Sequence, residues 1–570
     1  MRLRITMNCI KMTYKGLRTG ALLFLLLPVL LFLLFFVKPI IGIPAAVGML
    51  VAYLTAIRER TEKSQTIEIP FRRLFVFFVI CAVWCYLGGQ GGLFYQTSDW
   101  NERNAIFRDL ITEDWPVYYP ATNTMLTYYI GHWLPAASIG RVIYLSTQNV
   151  DVAFNIGNIL LAIWTLFGVF TTFLLHLCTV RTSGFKGQWL ILLLFIGFSG
   201  MDVIGCKIMK WTMNDMLRIQ HLEWWNTLYQ FTSNTSCLFW VFNQAITAWI
   251  ATLCFVNESN NRNYAMIIGC SLLSATLPCV GLALLMIGKV VIDAISSLKK
   301  KNLLVYIKKT FSISNVLTIV CWLPVIATYL LSNSALEKTV EGNSTEAVLK
   351  ITERMQNYSL IVIGFVGVAL LTHIVSRIVI KSKQTPFFLG AALLLAVTVA
   401  MLYIFPETGI LYYLFLALEC GIYWVLLANN YHRDPMYYLI ALPLIISPCI
   451  RVGISADFCM RASLPALTVL MSMCGNKLIG YFESGKHEKR TLWTSVSSLL
   501  LIFCLLIGMA TPAMEFYRGF VSVKQENKLA LTADSIYTLN QYHSSGGIYG
   551  NFVSDTYSNS LFFKYFSRKS

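Results

Sequence analysis

The feature that most constrains this chain is a succession of apolar blocks, each about 17 to 25 residues long, separated by short polar stretches. A helix of that length crosses a hydrocarbon core about 30 Å thick, and it satisfies its backbone polar groups internally, as lipid demands. A transmembrane barrel would instead alternate apolar and polar residues over segments of about ten. The 570 residues are 56% hydrophobic and only 13% charged, where an ordinary soluble domain carries about 25% charge. The chain therefore reads as an all-α polytopic membrane protein. Soluble enzymes, secreted disulfide scaffolds and nucleic-acid binders are excluded. The net charge of +17 does not reopen the last class, because the basic residues sit mostly in short connectors and do not gather on one surface. The 15 cysteines show no paired CxxC spacing, so neither a metal framework nor a disulfide lattice is indicated.

Basic residues Arg2, Arg4, Lys11, Lys15 and Arg18 precede ALLFLLLPVLLFLLFFV. No small-residue cleavage site follows, which makes this an uncleaved first span. Spans are predicted at roughly 20–37, 39–56, 74–90, 152–180, 187–204, 236–256, 314–332, 358–378, 386–404, 409–428, 436–450, 461–476 and 493–512. The block 264–296 is too long for one span and short for two. The positive-inside rule puts both Arg262 and KKKNLLVYIKK at 299–309 in the cytoplasm, so the block must turn back on itself near Pro278. The expectation is about 13 to 15 transmembrane helices in the plasma membrane, with a cytoplasmic N-terminus. Residues 1–512 form the multi-span domain and 513–570 a short extracytoplasmic tail, too polar to bury a core alone and expected to dock on the outer loops. Two large loops face outward, at 91–151 and 205–235. A shorter one at 333–357 holds the sequon NST at 343–345.

The first outer loop begins GGQGGLFYQTSDWNERNAIFRDLITEDWPVYYP. Its glycines let the chain leave the third span without regular helix, which leaves Asp99 just outside the membrane. From Asn104 onward Ile106, Leu110 and Ile111 recur at helical spacing, with Arg103, Arg108 and Asp109 on other faces. That pattern predicts an interfacial helix over 103–113. An acidic residue at the outer end of an early span is thus followed by an amphipathic helix, a short acidic turn, a tryptophan and a proline. This arrangement, carried by Asp99, Arg103 and DLITEDWPVYYP at 109–120, resembles the first outer loop of GT-C glycosyltransferases. Those are integral membrane enzymes that take a sugar from a polyprenyl-phosphate carrier. The resemblance covers roughly the first third of the chain. It departs from the family pattern in placing the acidic residue after the third span and in separating Asp99 from Glu102 by Trp100 and Asn101.

The resemblance implies transfer of a sugar from a polyprenyl-phosphate donor to a glycan, lipid or protein acceptor, with inversion. Asp99 would be the general base that takes the acceptor proton. The leaving group is a lipid phosphate, so a cation that neutralises its growing charge suffices. Arg103, Lys207, Lys210, Arg451 and Arg461 are the cations near the outer surface, the lysines equally suited to lipid headgroups. RVGISADFCMRASLPAL holds Arg451, Asp457 and Arg461 close to membrane depth, where ionisable residues are paired or functional. Glu102 and His132, in YIGHWLP, are further candidates for substrate contact. So is Glu223, in HLEWWNTLYQFTSNTS, whose tryptophans suit a membrane belt or a sugar platform alike. Asn243 and Gln244 suit helix–helix hydrogen bonds, and Glu419, deep in an apolar span, is protonated or paired. No cofactor is called for: no HExxH, Walker or Rossmann glycine motif is present, and a divalent metal is not indicated. Two other classes stay open. A transporter or flippase would show matched halves with broken helices, and a lipid-linked glycan polymerase or ligase would rely more on arginines than on an aspartate.

Overall fold

Thr13 accepts the N–H of Gly16 at 3.2 Å and opens helix α1 (Tyr14–Phe35). Pro39 opens α2 (Pro39–Arg58), where its missing N–H costs nothing. The two run back to back because position 42 has no side chain: a Cβ there would lie 2.0 Å from the Leu33 carbonyl oxygen. There follow α3 (Phe71–Leu87), α4 (Trp100–Thr112), α5 (Leu134–Thr147), α6 (Val150–Val180), α7 (Phe185–Gly197) and α8 (Asp202–Ile208). The computed structural model describes residues 9–59, 66–218, 221–333, 408–450, 456–483, 492–527, 537–544 and 550–569. Among them seven helices are long and apolar enough to cross a membrane, or eight if α7 and α8, bent by 40°, form one broken span. This is the all-α polytopic architecture expected. The predicted spans at 358–378 and 386–404 and the sequon at 343–345 lie outside the described residues.

Two predicted spans take a different form. The block 264–296 folds back as expected, but through Leu272–Ala275 and not at Pro278. A short helix, Tyr264–Ser271, precedes the turn, and Thr276–Lys299 follows it as a single helix long enough to cross. Pro278 falls in the first turn of that helix, where a proline breaks no hydrogen bond. The span at 236–256 is interrupted at Val241, between Asn234–Trp240 and Phe242–Asn257. Every residue from Phe242 to Phe255 is buried, which makes that second piece the central helix of the bundle.

Polar contacts sort the connectors to two ends. At one end β1 (Cys9–Thr13) pairs antiparallel with β2 (Thr66–Pro70). Buried Arg18 bonds Glu258 there at 3.1 Å, and Arg262 bonds Glu59. Asn315, just past KKKNLLVYIKK, donates to Asn261, so the two basic connectors expected on one side do share one end. At the other end the tail is woven into the loops. Strand β3 (Tyr118–Tyr119) pairs with β4 (Thr124–Leu126), and β4 with β5 (Val553–Ser554). Backbone bonds from Lys38 to Phe566 and from Arg568 to Phe36, both 2.8 Å, tie the last residues to the α1–α2 turn. The tail therefore docks on the loops, as its composition suggested. Residues 513–526 continue the helical run that begins at Thr494.

Candidate functional site

Gly89, Gly91 and Gly92 take φ of 78°, 84° and 69°, values that favour glycine, and they turn the chain as α3 ends. Gln96 closes the turn by donating to the Gly89 carbonyl and accepting from Asn104, both at 2.9 Å. α4 starts three residues before the predicted 103–113 and ends at Thr112. Trp100 anchors its first turn, stacking on Phe242 at 4.6 Å and donating from Nε1 to the Phe239 carbonyl at 3.0 Å. Ile106, Leu110 and Ile111 are buried as expected, each worth about 1.5–3 kcal/mol at full burial.

Arg103 and Asp109, on other faces of the helix than the apolar stripe, are buried as well, and at Asp109 it is the tail residue Leu539 that covers the side chain. Asp109 accepts from the Leu539 N–H and the Tyr119 hydroxyl, both at 2.9 Å, and pairs with Arg108 at 3.1 Å. Burial pushes its pKa up to about 6 in spite of those three donors.

Asp99 stands at the N-cap position of α4 without capping it: no backbone N–H of the first turn bonds its side chain. Instead the half-exposed carboxylate takes a bond from Arg103 Nη2 at 3.1 Å, across one helical turn. Glu102 is half-buried in the same turn. Arg461, nearly buried, comes from the helix Asp457–Ala462 and faces Asp457 at 3.4 Å. Asp99, Asp457, Tyr128 and Tyr129 all act on the Arg461 charge, which brings residues more than 300 positions apart around one point. Tyr128 is fixed there by bonds between its backbone and the Tyr329 hydroxyl. Burial raises the pKa of the Tyr128 hydroxyl, and Arg461 and Arg103 pull it back. Arg103 Nη1 and Arg461 Nε are sealed from solvent with no partner among the described residues. A half-exposed carboxylate with one guanidinium bonded to it and the charge of a second nearby can take up a proton next to a bound anion.

The other predicted site residues are elsewhere. Arg451 lies outside the described residues. His132 is 1% exposed and does not reach the loop surface; the tight turn Ile130–His132 dips into the bundle, where Nε2 meets the Thr165 hydroxyl at 3.0 Å and the ring lies between Phe24 and Phe242. Glu223 is equally sealed, accepting from Gln230 and from the Ser233 N–H at 2.9 Å. Burial and the neighbouring Asp202 carboxylate push its pKa up to about 7. Lys207 and Lys210 stand exposed at the end of α8. Asn243 and Gln244 are buried in the central helix.

Glu419 is buried and paired, as its depth required: Trp225 Nε1 donates to it at 2.9 Å, and the Asp202 carboxyl lies close beside it. Asp202 also accepts from Ser199 at 3.0 Å and Thr511 at 2.7 Å. Asp202 was missed in the sequence because it closes an apolar run; the glycines around it, GFSGMDVIG, were the available signal of a broken helix. Tyr128, Tyr129 and Glu515 were likewise missed. No family model, no curated protein and no solved structure matches the chain. The chemistry of the site is therefore argued from its own residues.

Proposed function

We propose that the protein is a membrane glycosyltransferase that moves a sugar from a polyprenyl-phosphate carrier to an extracytoplasmic acceptor, a cell-wall polymer, glycolipid or protein. The carrying observation is the half-exposed Asp99 carboxylate, paired with Arg103 and near enough to act on the buried Arg461 charge. Asp99 accepts the proton of the acceptor hydroxyl as that oxygen attacks the anomeric carbon from the face opposite the phosphate. A new C–O bond forms, the bond from carbon to phosphate oxygen breaks, and the phosphate leaves with the electron pair. Inversion follows from the single displacement. Arg103 and Arg461 offset the charge that grows on the phosphate. In this reading the tail end of the bundle is extracytoplasmic, the N-terminus is cytoplasmic and the membrane is the plasma membrane.

The test compares lipid-linked sugars and surface glycans in cells carrying the wild-type chain, Asp99→Asn or a deletion. Loss of one glycan with accumulation of its lipid-linked donor in both the variant and the deletion supports the reading. Full transfer by Asp99→Asn moves the base elsewhere. An unchanged glycan profile in the deletion removes the transferase and leaves a transporter, for which the buried Asp202 and Glu419 pair would be the starting point.

A further inference from the structure

A second group of side chains at the tail end of the bundle has no part in the reaction above. Trp224 is 42% exposed. Its ring leans against His221 with centroids 4.8 Å apart, and the imidazole lies 4.1 Å from Trp240 on the other side. Behind them Glu515 is buried and binds three partners. His221 Nδ1 is 3.1 Å from Oε1, Trp240 Nε1 donates to Oε2 at 2.9 Å, and Arg518 Nη1 donates to both oxygens at 3.1 Å. The Arg518 guanidinium also sits 5.9 Å from the Trp240 ring centre.

This carboxylate holds the imidazole through Nδ1 against the Trp224 and Trp240 rings. Among the described residues neither Nε2 nor the Arg518 Nη2 and Nε groups carry a hydrogen bond, and none is sealed from solvent. An interfacial anchor needs an amphipathic ring and nothing more. Here an open aromatic face is joined to fixed donors along its rim. A pyranose ring has the matching surface, with apolar C–H bonds on its face and hydroxyls around its equator. One hydrogen bond links the segment that carries Trp240 to the helix after Asp99: the Phe239 carbonyl accepts from Trp100.

We propose that Trp224, His221 and Arg518 form a carbohydrate-binding subsite that seats a sugar ring of the acceptor. Its role as an acceptor site rests on the transferase reading; its binding of sugar does not.

Saturation-transfer NMR tests it with the full chain in phosphatidylcholine nanodiscs against methyl glycosides of glucose, mannose, galactose and N-acetylglucosamine. Wild type should transfer saturation to the ring protons of at least one glycoside. Trp224→Ala should raise its dissociation constant about tenfold, the equivalent of one lost aromatic contact. Trp224→Phe, which keeps an aromatic face, should recover most of the affinity, and Trp211→Ala on the same segment should change nothing. Asp99→Asn should bind the glycoside as wild type does. No saturation of any glycoside by wild type overturns the subsite, and so does unchanged affinity in Trp224→Ala, the signature of an interfacial anchor only. If Asp99→Asn retains sugar transfer while Trp224→Ala loses glycoside binding, the base assignment falls and the subsite stands.

Discussion

Asp99 and Glu419 are both carboxyl groups at the tail end of a membrane bundle, and their surroundings are opposite. Asp99 keeps 47% of its side chain exposed, is paired with Arg103 and is near enough to act on the buried Arg461 charge. Glu419 is 2% exposed and faces a tryptophan N–H and a second carboxyl, with Glu223 close by and, among the described residues, no cation bonded to it. The first site is open to solvent, so a ligand can reach its carboxylate. The second is closed to solvent and lies beside another acid. The difference separates a carboxylate built to act from carboxyls built to pack, a distinction that residue type and hydropathy alone do not draw.

The largest test of that distinction is Asp99→Asn. The amide is nearly isosteric but takes no proton, so kcat for sugar transfer should fall about 10²- to 10⁴-fold. An exposed side chain with a single ion pair adds little to stability, so the melting temperature should not move. A variant that is inactive because it no longer folds would show the reverse pattern and place Asp99 with the packing carboxyls.

Asp109 lies between these extremes, on the acting helix but buried by the tail. Its pKa is raised from 3.8 to about 6, so the folded protein holds that proton more tightly than the unfolded chain. The resulting stability is full below the unfolded value and is lost as pH rises through about 6, a change of about 3 kcal/mol for a single group. Melting of the purified protein should therefore occur at lower temperature at roughly pH 8 than at roughly pH 5, and Asp109→Asn should flatten that dependence. A pH dependence unchanged in the variant would assign it to other groups.

How far the sequence carried this comparison follows from the distance over which each signal acts. The spans, the glycine turn after α3 and the apolar stripe Ile106, Leu110 and Ile111 were legible because each is a pattern within one or two turns of chain. Arg461 stood out through the cost of a charge near lipid. The burial of Asp109 was not legible, since its covering residue Leu539 lies 430 positions away. His132 and Glu223 drew attention as polar residues in loops, but loop residues can fold inward, and no periodicity marks when they do. Pro278 was taken as the turn because proline ends helices. It equally begins them, and the real break at Leu272–Ala275 contains neither glycine nor proline.

A smaller effect is expected at Arg461. Replacing it by Gln removes a charged donor from the anion side of the site, worth about 1.5–3 kcal/mol. Read as KM for the polyprenyl-phosphate donor, this is an increase of about tenfold to a hundredfold. An increase in KM with kcat retained would mark Arg461 as holding the donor in ground and transition states alike, whereas an equal fall in kcat and kcat/KM would mark it as stabilising the departing phosphate alone. No change in either would remove it from the site and leave Arg103 as the cation.

The smallest effect should come from Glu419→Gln. The Gln amide keeps the shape of the acid, and its N–H gives the neighbouring Asp202 carboxyl a donor. The amide oxygen can still accept from Trp225 Nε1, so the cost in stability should stay within about 1 kcal/mol. Glu419→Ala, by contrast, strands the Trp225 N–H, which costs about 1–3 kcal/mol once buried without a partner, and opens a cavity besides. Chemical denaturation of the two variants gives the ratio directly. If Gln proves as harmful as Ala, Glu419 is ionised in the folded protein and requires a cation that Gln cannot attract. The sealed cluster would then be a charged site of the same kind as the one at Asp99, differing from it only in access to solvent.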